Sequence, residues 1–290
     1  MIEDLQINDN KYFDKLYKEQ NILCMKQKKD IESKFSDNVQ DDLFSIEDTS
    51  WWFPYRAAVV YQLAQTFFDN KKFTFDLGGG NGYTTFYMQD KGFPMILVEP
   101  SFGACKNAKK RGVQTVICGT FTQENIKEES IDQVLLLDVL EHIEKDAEFL
   151  KMIHQKLVKK GKILITVPAF SLLWSSEDDA AGHYRRYRLK QIHTLAKEAG
   201  FSVLYSTYFF EFLFLPILLV RVGMEKMGLL KRKEERTEEE KKKIAQKQFQ
   251  KRRGILQIIL QCLEKIECDR IKKKKKIRFG SSILCVLEKK

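Results

Sequence analysis

Phe73-Thr74-Phe75-Asp76-Leu77-Gly78-Gly79-Gly80-Asn81-Gly82 is the stretch whose reading decides the fold. A short apolar run ends beside a carboxylate and passes into a turn with glycine at positions 78, 80 and 82. Without Cβ atoms, such a turn bends sharply and lets a ligand approach the main chain. Strand followed by glycine turn is a nucleotide-type arrangement. A dinucleotide fingerprint is spaced G-x-G-x-x-G, which would put its third glycine where this chain has Tyr83. The spacing here is G-x-G-x-G, which weakens a nicotinamide-dependent oxidoreductase reading and leaves a plain tight loop as the bland alternative.

Working outward, short apolar runs at residues 73–77, 95–99, 115–118, 134–138 and 163–167 alternate with amphipathic stretches. That alternation predicts a parallel sheet of βαβ units. Residues 104–111 form one helix, and Phe149, Ile153 and Leu157 mark the apolar stripe of another that ends near Lys160-Gly161. Residues 189–199 form a third, closed by Gly200. Residues 201–209 read as a sixth strand, and residues 281–288 after Gly280 as a seventh. Upstream, Tyr12, Phe13, Leu16 and Tyr17 stand at roughly helical spacing, so residues 1–50 are expected to be a helical extension. The expected organisation is this extension, a core over residues 51–210, an insertion over 211–279 and a final core strand over 280–290.

With 290 residues, 43% hydrophobic and 31% charged, the chain can bury one sizeable core with appendages. Met1-Ile2-Glu3-Asp4-Leu5 lacks both the basic and the apolar region of a secretory signal, so a cytoplasmic location is expected. Six scattered cysteines with no CxxC pair predict free thiols, and no metal site is expected. The net charge of +10 is localised. Residues 231–278 hold 19 Lys/Arg against 8 Asp/Glu, leaving 31 against 32 elsewhere. The core is therefore near neutral and the basicity belongs to the insertion.

At the end of the second core strand, Ile96-Leu97-Val98-Glu99-Pro100 places a carboxylate 17 residues beyond Gly82, where two acceptor oxygens can bind both hydroxyls of a ribose. Asp76-x-Gly78-x-Gly80-x-Gly82, then Glu99, then Val134-Leu135-Leu136-Leu137-Asp138-Val139-Leu140-Glu141-His142 resembles the class I S-adenosylmethionine-dependent methyltransferases, particularly the branch similar to quinone and lipid methyltransferases. The resemblance runs from about Trp51 to Val167, and more weakly to the C-terminus. It implies an α/β, Rossmann-like, seven-stranded and mostly parallel sheet flanked by helices, its last strand antiparallel, with a helical insertion before that strand. It also implies that the glycine turn holds the methionine part of S-adenosylmethionine and the acidic residue its ribose. By motif position these roles fall to Asp76, Gly78, Gly80, Gly82 and Glu99. Two departures stand out: Gly79 sits where the family usually has Cys or Ser, and Thr120 where an Asp follows Gly119. Thr120 and Phe121 are then the candidates for adenine, through a hydroxyl and a ring.

Asp138 ends the fourth core strand, at the carboxyl edge where open α/β sheets bind ligands, and is expected to face the cofactor's methionine end. Glu141 and His142 follow in a turn, with capping and catalysis both open to them. Two further segments, Trp51-Trp52-Phe53-Pro54-Tyr55-Arg56 and residues 174–187, resemble a bacterial subgroup often linked to cell-envelope glycan or lipid pathways. That resemblance implies that Trp52 and Arg56 border the methionine carboxylate and that His183 faces the acceptor. A hydrophobic clasp for the tryptophans and a solvated ion-pair patch for Arg185 and Arg186 are the plainer readings. His183 and His142 are the candidate bases, since an imidazole titrates near neutral pH; His154 and His193 read as structural.

The expected activity is methyl transfer to a small-molecule or lipid- or glycan-linked acceptor, with O- or C-methylation favoured; a cofactor-binding module without turnover, or a nucleic-acid or protein methyltransferase, is the alternative. Apolar residues 209–220, an amphipathic stripe of Ile255, Ile258, Ile259, Cys262, Leu263 and Ile266, and the run Lys272 to Lys276 suggest an insertion that meets an anionic membrane through residues 209–279. Packing on the core and a solvated lysine run are the alternative. The apolar run at 212–220 is too short to span a bilayer, which takes about 20 residues. Asp138-Val139-Leu140-Glu141 is unlike the Asn/Asp-Pro-Pro-aromatic motif of amino-methylating DNA enzymes, and no Pro-Cys pair offers a cytosine nucleophile, which argues against nucleic acid.

Overall fold

The computed structural model describes residues 9–13, 16–25, 37–121, 126–219 and 255–290. The core runs found in the sequence are the strands β3 (Thr74–Leu77), β4 (Met95–Glu99), β5 (Val116–Cys118), β6 (Ile131–Leu137) and β7 (Leu157–Pro168). Neighbours among them pair in parallel. Phe75, Ile96, Leu97, Val134 and Leu135 are wholly buried. Central strands of a parallel sheet are covered on both faces, which is why they read as unbroken apolar runs. β8 (Phe201–Phe209) and β9 (Ser282–Lys289) complete the far edge, with β9 antiparallel to both β7 and β8.

The sheet has nine strands, not the seven expected, in the order β1-β2-β5-β4-β3-β6-β7-β9-β8. The two extra strands correct the reading of residues 1–50 as purely helical. β1 (Tyr17–Glu19) and β2 (Ile22–Cys24) form a hairpin whose turn residues Gln20 and Asn21 both take positive φ, 47° and 64°. Two left-handed residues make the tight hairpin connection, and Asn tolerates that conformation. β2 pairs with the edge of β5, Leu23 with Ile117 and Cys24 with Cys118, and so satisfies backbone groups that an open edge would leave unpaired. Among the described residues of this region, Asp9–Tyr12 (α1) and Asp37–Glu47 (α2) are the helices. Tyr12 and Phe13 instead pack their rings on Phe75, 5.1 and 6.0 Å away. The helix stops at Tyr12, and Tyr17 lies in β1, so the four residues do not share one helix face.

The helices between strands are α3 (Trp52–Phe67), α4 (Tyr83–Asp90), α5 (Phe102–Arg111), α6 (Asp146–Lys156), α7 (Ser176–Ala181) and α8 (Leu189–Glu198). α6 ends at Lys156 rather than near Lys160-Gly161. β7 begins at once, and Lys160 (φ 62°) lies where its register on β6 shifts.

The described parts of the insertion are α9 (Glu211–Ile217) and α10 (Ile255–Lys272); Val220 and the mixed-charge stretch over residues 231–253 lie outside the described residues. α10 docks through a buried carboxylate. Glu267 accepts from the Tyr55 hydroxyl and from the N–H groups of Phe210 (2.9 Å) and Glu211 (2.6 Å), while Ile271 is buried beside it. The stripe Ile258, Ile259, Leu263 and Ile266 faces outward and is exposed, as are Leu215 and Leu219. Phe212 and Leu213 pack against the core. Lys272 to Lys276 are exposed. No described helix is long and apolar enough to cross a membrane.

Candidate active site

Chain order reverses beside β3: the chain moves from β3 to β4 and β5 on one side, then crosses to β6 on the other. Ligands bind open α/β sheets at such a reversal, outside the carboxyl ends of the strands. The glycine turn, Glu99 and Asp138 follow the ends of β3, β4 and β6, so topology brings all three to one crevice.

Within the turn, each glycine has its own reason. Gly78, Gly80 and Gly82 have φ of 69°, 55° and 77°. A Cβ on Gly82 would stand 2.9 Å from both Ala108 Cβ and Val113 Cγ2, so this glycine lets α4 and α5 approach. On Gly80 it would meet nothing within 4 Å, so this glycine leaves an open cradle. Gly79, where a Cys or Ser was expected, is filled from the other side: its Cβ would stand 2.2 Å from Leu97 Cδ1.

Glu99 accepts from the Gly80 N–H through Oε2 (3.0 Å) and from the Ser101 N–H through Oε1 (2.9 Å). Each carboxylate oxygen keeps a lone pair for a ligand. Burial pushes the Glu99 carboxyl up to about 7 against these two hydrogen bonds. Asp76 is wholly buried. Its Oδ2 accepts from the Thr85 hydroxyl (2.6 Å) and its Oδ1 has no partner. Burial raises its carboxyl to about 6.

The turn is braced by residues that sequence reasoning passed over. Asn81 Nδ2 donates to the Gln40 carbonyl (3.1 Å) and to Glu47 (3.2 Å), and Asn107 donates to Asn81 Oδ1 (3.1 Å). Arg111 donates to the Asn81 carbonyl (3.2 Å) and pairs with Glu47 (2.6 Å). α2 is thereby locked onto the turn. The only sequence signal was a cluster of polar residues at 40, 47, 81, 107 and 111 with no common period, and it becomes meaningful only once the helices are packed.

Arg56 and Asp138 meet in an ion pair of 2.6 Å, with the Arg56 guanidinium 5.1 Å from the Trp52 ring and its Nε buried without a partner. Trp52, Arg56 and Asp138 are thus brought together. Trp52 also stacks on Phe210 (5.7 Å, 5°), and Trp51 packs edge-on against the same ring, so the aromatic clasp is present as well. Asp138 has φ 55°, a strained conformation for a non-glycine residue. Thr120 is exposed beyond β5, while Phe121 is buried against Phe149.

The turn Leu140–His142 follows Asp138, and the loop after α7 is laid on it by the Tyr184 N–H, which donates to the Glu141 carbonyl (2.8 Å). His183 and His142 consequently pack ring against ring, with centroids 4.7 Å apart. His183 Nδ1 lies 2.8 Å from Asp178 Oδ1. Asp178 also accepts from Arg186 Nε (2.8 Å) and Nη2 (3.0 Å) and from the Ser175 N–H (2.9 Å). Burial opposes the charge on Asp178, but the bonds from His183 and Arg186 outweigh it and hold the carboxyl below its usual range. An ionised Asp178 favours the proton on His183 Nδ1, and Nε2 then stands 4.0 Å from Glu141 Oε1. Glu141 is buried with Oε2 unpartnered; burial, and then Asp138, push its carboxyl well above the usual range.

Arg186 is thus a buried clamp and not a solvated patch, whereas Arg185 pairs with Asp146 (2.8 Å) at partial exposure. His154 packs on Phe201 and His193 lies 2.8 Å from the Ser206 hydroxyl, both away from the turn.

The sequence profile of the methyltransferase domain matches residues 54–206, which hold the turn, Glu99, Asp138 and the histidine pair. The chain belongs to the methyltransferase-domain family. An uncharacterised protein of Methanocaldococcus jannaschii is 28% identical over 162 residues, covering 53% of this chain and 69% of the relative. Among solved structures, phosphoethanolamine N-methyltransferase 2 of Haemonchus contortus with S-adenosyl-L-methionine superposes with a TM-score of 0.55 at 17% identity, over 89% of this chain and 58% of that longer one. A protein of Galdieria sulphuraria assigned as a sarcosine dimethylglycine methyltransferase gives 0.52 at 18% identity, over 80% of this chain and 83% of its own. These likenesses carry the fold. The open cradle at Gly80 beside a two-acceptor carboxylate fits S-adenosylmethionine, the cofactor that the Haemonchus contortus structure carries.

Proposed function

We propose that the chain moves the methyl group of S-adenosylmethionine to an oxygen or acidic carbon of a small-molecule or lipid- or glycan-linked acceptor, with His183 facing that acceptor and His142 beside it. The observation that carries this reading is the Asp178–His183 couple (2.8 Å), which fixes an imidazole on the loop laid over the turn that follows β6. In the same reading Glu99 takes the ribose hydroxyls. Gly78, Gly80 and Gly82 let the main chain lie against the methionine half, and Asp76 supports the turn from below. The ion pair of Arg56 and Asp138, bordered by Trp52, meets the amino-acid end, whose carboxylate and ammonium match those two charges. Thr120 and Phe121 border the adenine.

Methyl transfer from a sulfonium is an in-line displacement: the acceptor's lone pair forms a bond to carbon as the carbon–sulfur bond breaks and its electrons return to sulfur. The protein's contribution is alignment and exclusion of competing nucleophiles. An acceptor hydroxyl gains nucleophilicity when its proton is drawn off, which an imidazole does near neutral pH.

The exposed stripe along α10, Leu215 and Leu219, and the adjoining lysines support an acceptor met at an anionic lipid surface. Radiolabelled methyl transfer from S-adenosyl-L-methionine into total lipid extract, against a water-soluble extract, tests the acceptor class. Transfer into neither while the cofactor binds refutes turnover. His183→Gln is expected to keep cofactor binding and lose transfer.

A further inference from the structure

The two histidines and Glu141 form a cluster that acid–base chemistry alone does not explain. One donor atom from each of Glu141, His142 and His183 lies within 4.8 Å of the others, and His183 Nε2 stands 4.0 Å from Glu141 Oε1. Two imidazoles and one carboxylate facing a common point are a ligand set for a divalent transition metal, with the remaining coordination positions open.

Two independent features point to a ligand at that point. Glu141 is buried, yet its Oε2 has no hydrogen-bond partner. A buried carboxylate oxygen left unsatisfied is costly unless a proton or a cation meets it. In addition, His183 carries the outer support of a metal-bound imidazole. Its Nδ1 donates to Asp178, which Arg186 clamps through two bonds, so the ring is fixed with Nε2 toward Glu141 and His142. A carboxylate behind the imidazole sets the tautomer and raises ligand basicity in this way. The same support suits a general base, so the unpartnered buried oxygen of Glu141 and the approach of all three donors distinguish the two roles.

The geometry points to a divalent-cation site made by Glu141, His142 and His183, with Asp178 and Arg186 as positioning residues and an oxygen-bearing acceptor as the incoming ligand. Donors bonded to one ion at about 2.0–2.2 Å stand about 3.3 Å apart in a tetrahedral arrangement. Loading the site therefore draws the donors together by about an ångström, a motion available to side-chain torsions.

The cluster begins three residues after Asp138, so an oxygen held by the cation would lie beside the methionine end of the cofactor. The cation lowers the pKa of the bound hydroxyl, whose proton leaves to solvent, and fixes the resulting oxyanion for attack. This inference rests on the methyl-transfer reading for its role, though not for the existence of the site. It narrows the favoured acceptor to oxygen and makes the imidazoles ligands rather than bases.

The test uses the full chain stripped with chelator and titrated with Co2+ as a spectroscopic probe, followed by competition with Zn2+. One equivalent of Co2+ is expected, with visible bands displaced by Zn2+, and binding at least tenfold weaker in His142→Gln and in His183→Gln. Asp178→Asn is expected to weaken binding by about 10- to 100-fold, as loss of an outer-shell carboxylate does. Calorimetry with S-adenosyl-L-methionine on each variant reports folding independently, so an unfolded His183→Gln sample leaves His142→Gln to decide. Wild-type protein that binds the cofactor but no Co2+, or Co2+ binding untouched by both histidine substitutions, overturns the site. Full methyl transfer in chelator also overturns the cation's role and returns His183 to the part of a base. Co2+ binding without cofactor binding refutes the methyl-transfer reading and leaves the site standing.

Discussion

Gly80→Ala separates the cost of folding the turn from its use. At φ 55°, alanine suffers left-handed strain of about 1–2 kcal/mol, but its Cβ meets no atom within 4 Å. A chain of this size loses about 2–4 °C of melting temperature per kcal/mol, so the cofactor-free variant should melt roughly 2–8 °C lower and remain folded. If the methionine half of the cofactor lies in that cradle, the methyl intrudes on it and affinity should fall at least tenfold, about 1.4 kcal/mol. Gly82→Ala is the matched control. Its φ of 77° carries the same strain, but its Cβ also presses to 2.9 Å on Ala108 and Val113 and to 3.3 Å on the Ala108 backbone. With overpacking of about 1–3 kcal/mol added, it should melt clearly lower than Gly80→Ala. Differential scanning fluorimetry without cofactor, then calorimetry with S-adenosyl-L-methionine, gives both numbers. Wild-type affinity in Gly80→Ala refutes the cradle; equal melting of the two variants refutes the packing argument for Gly82.

The remaining predictions concern charge and chain edges. Because burial holds Glu99 at about 7 against an ordinary 4.5, its contribution to stability is fully present below pH 4.5 and is lost as pH rises through 7. Relative to Glu99→Gln, cofactor-free wild type should lose about 3 kcal/mol over that window, at about 1.4 kcal/mol per pH unit; pH-independent differences in chemical denaturation would refute it. Ribose hydroxyls favour the ionised carboxylate, so cofactor affinity should rise with pH up to about 7 in wild type and lose that dependence in Glu99→Gln. Arg56→Met leaves Asp138 unpaired beside the buried Glu141 and should weaken cofactor binding at least tenfold; calorimetry showing an unchanged Kd removes Arg56 from the site. Asn21→Val forces a β-branched residue to φ 64° and should cost about 1–2 kcal/mol, with hydrogen exchange accelerated in β2 but not in β3.

The sequence by itself determined the parallel core. Buried strands have no polar face, so β3, β4, β6 and β7 appear as apolar runs, and a turn that needs positive φ and close approach must be written in glycine. The positions of Glu99 and Asp138 were legible for the same reason: a carboxylate that closes an apolar run marks the carboxyl end of a buried strand. Other features depended on contacts between segments far apart in the chain. The hairpin of residues 17–24 is too short to show a period, and it forms because β5 offers an unpaired edge. The bracing of Asn81 by Glu47 and Arg111 and the Arg56–Asp138 pair join residues with no common spacing, and the docking of Glu267 decided that the apolar stripe of α10 faces outward. The same holds for the meeting of the adjacent pair Glu141 and His142 with His183, which follows His142 by 41 residues. A loop carries no period to announce where it will lie, and only its docking, Tyr184 on Glu141 and Arg186 on Asp178, turned two separate histidines into one site.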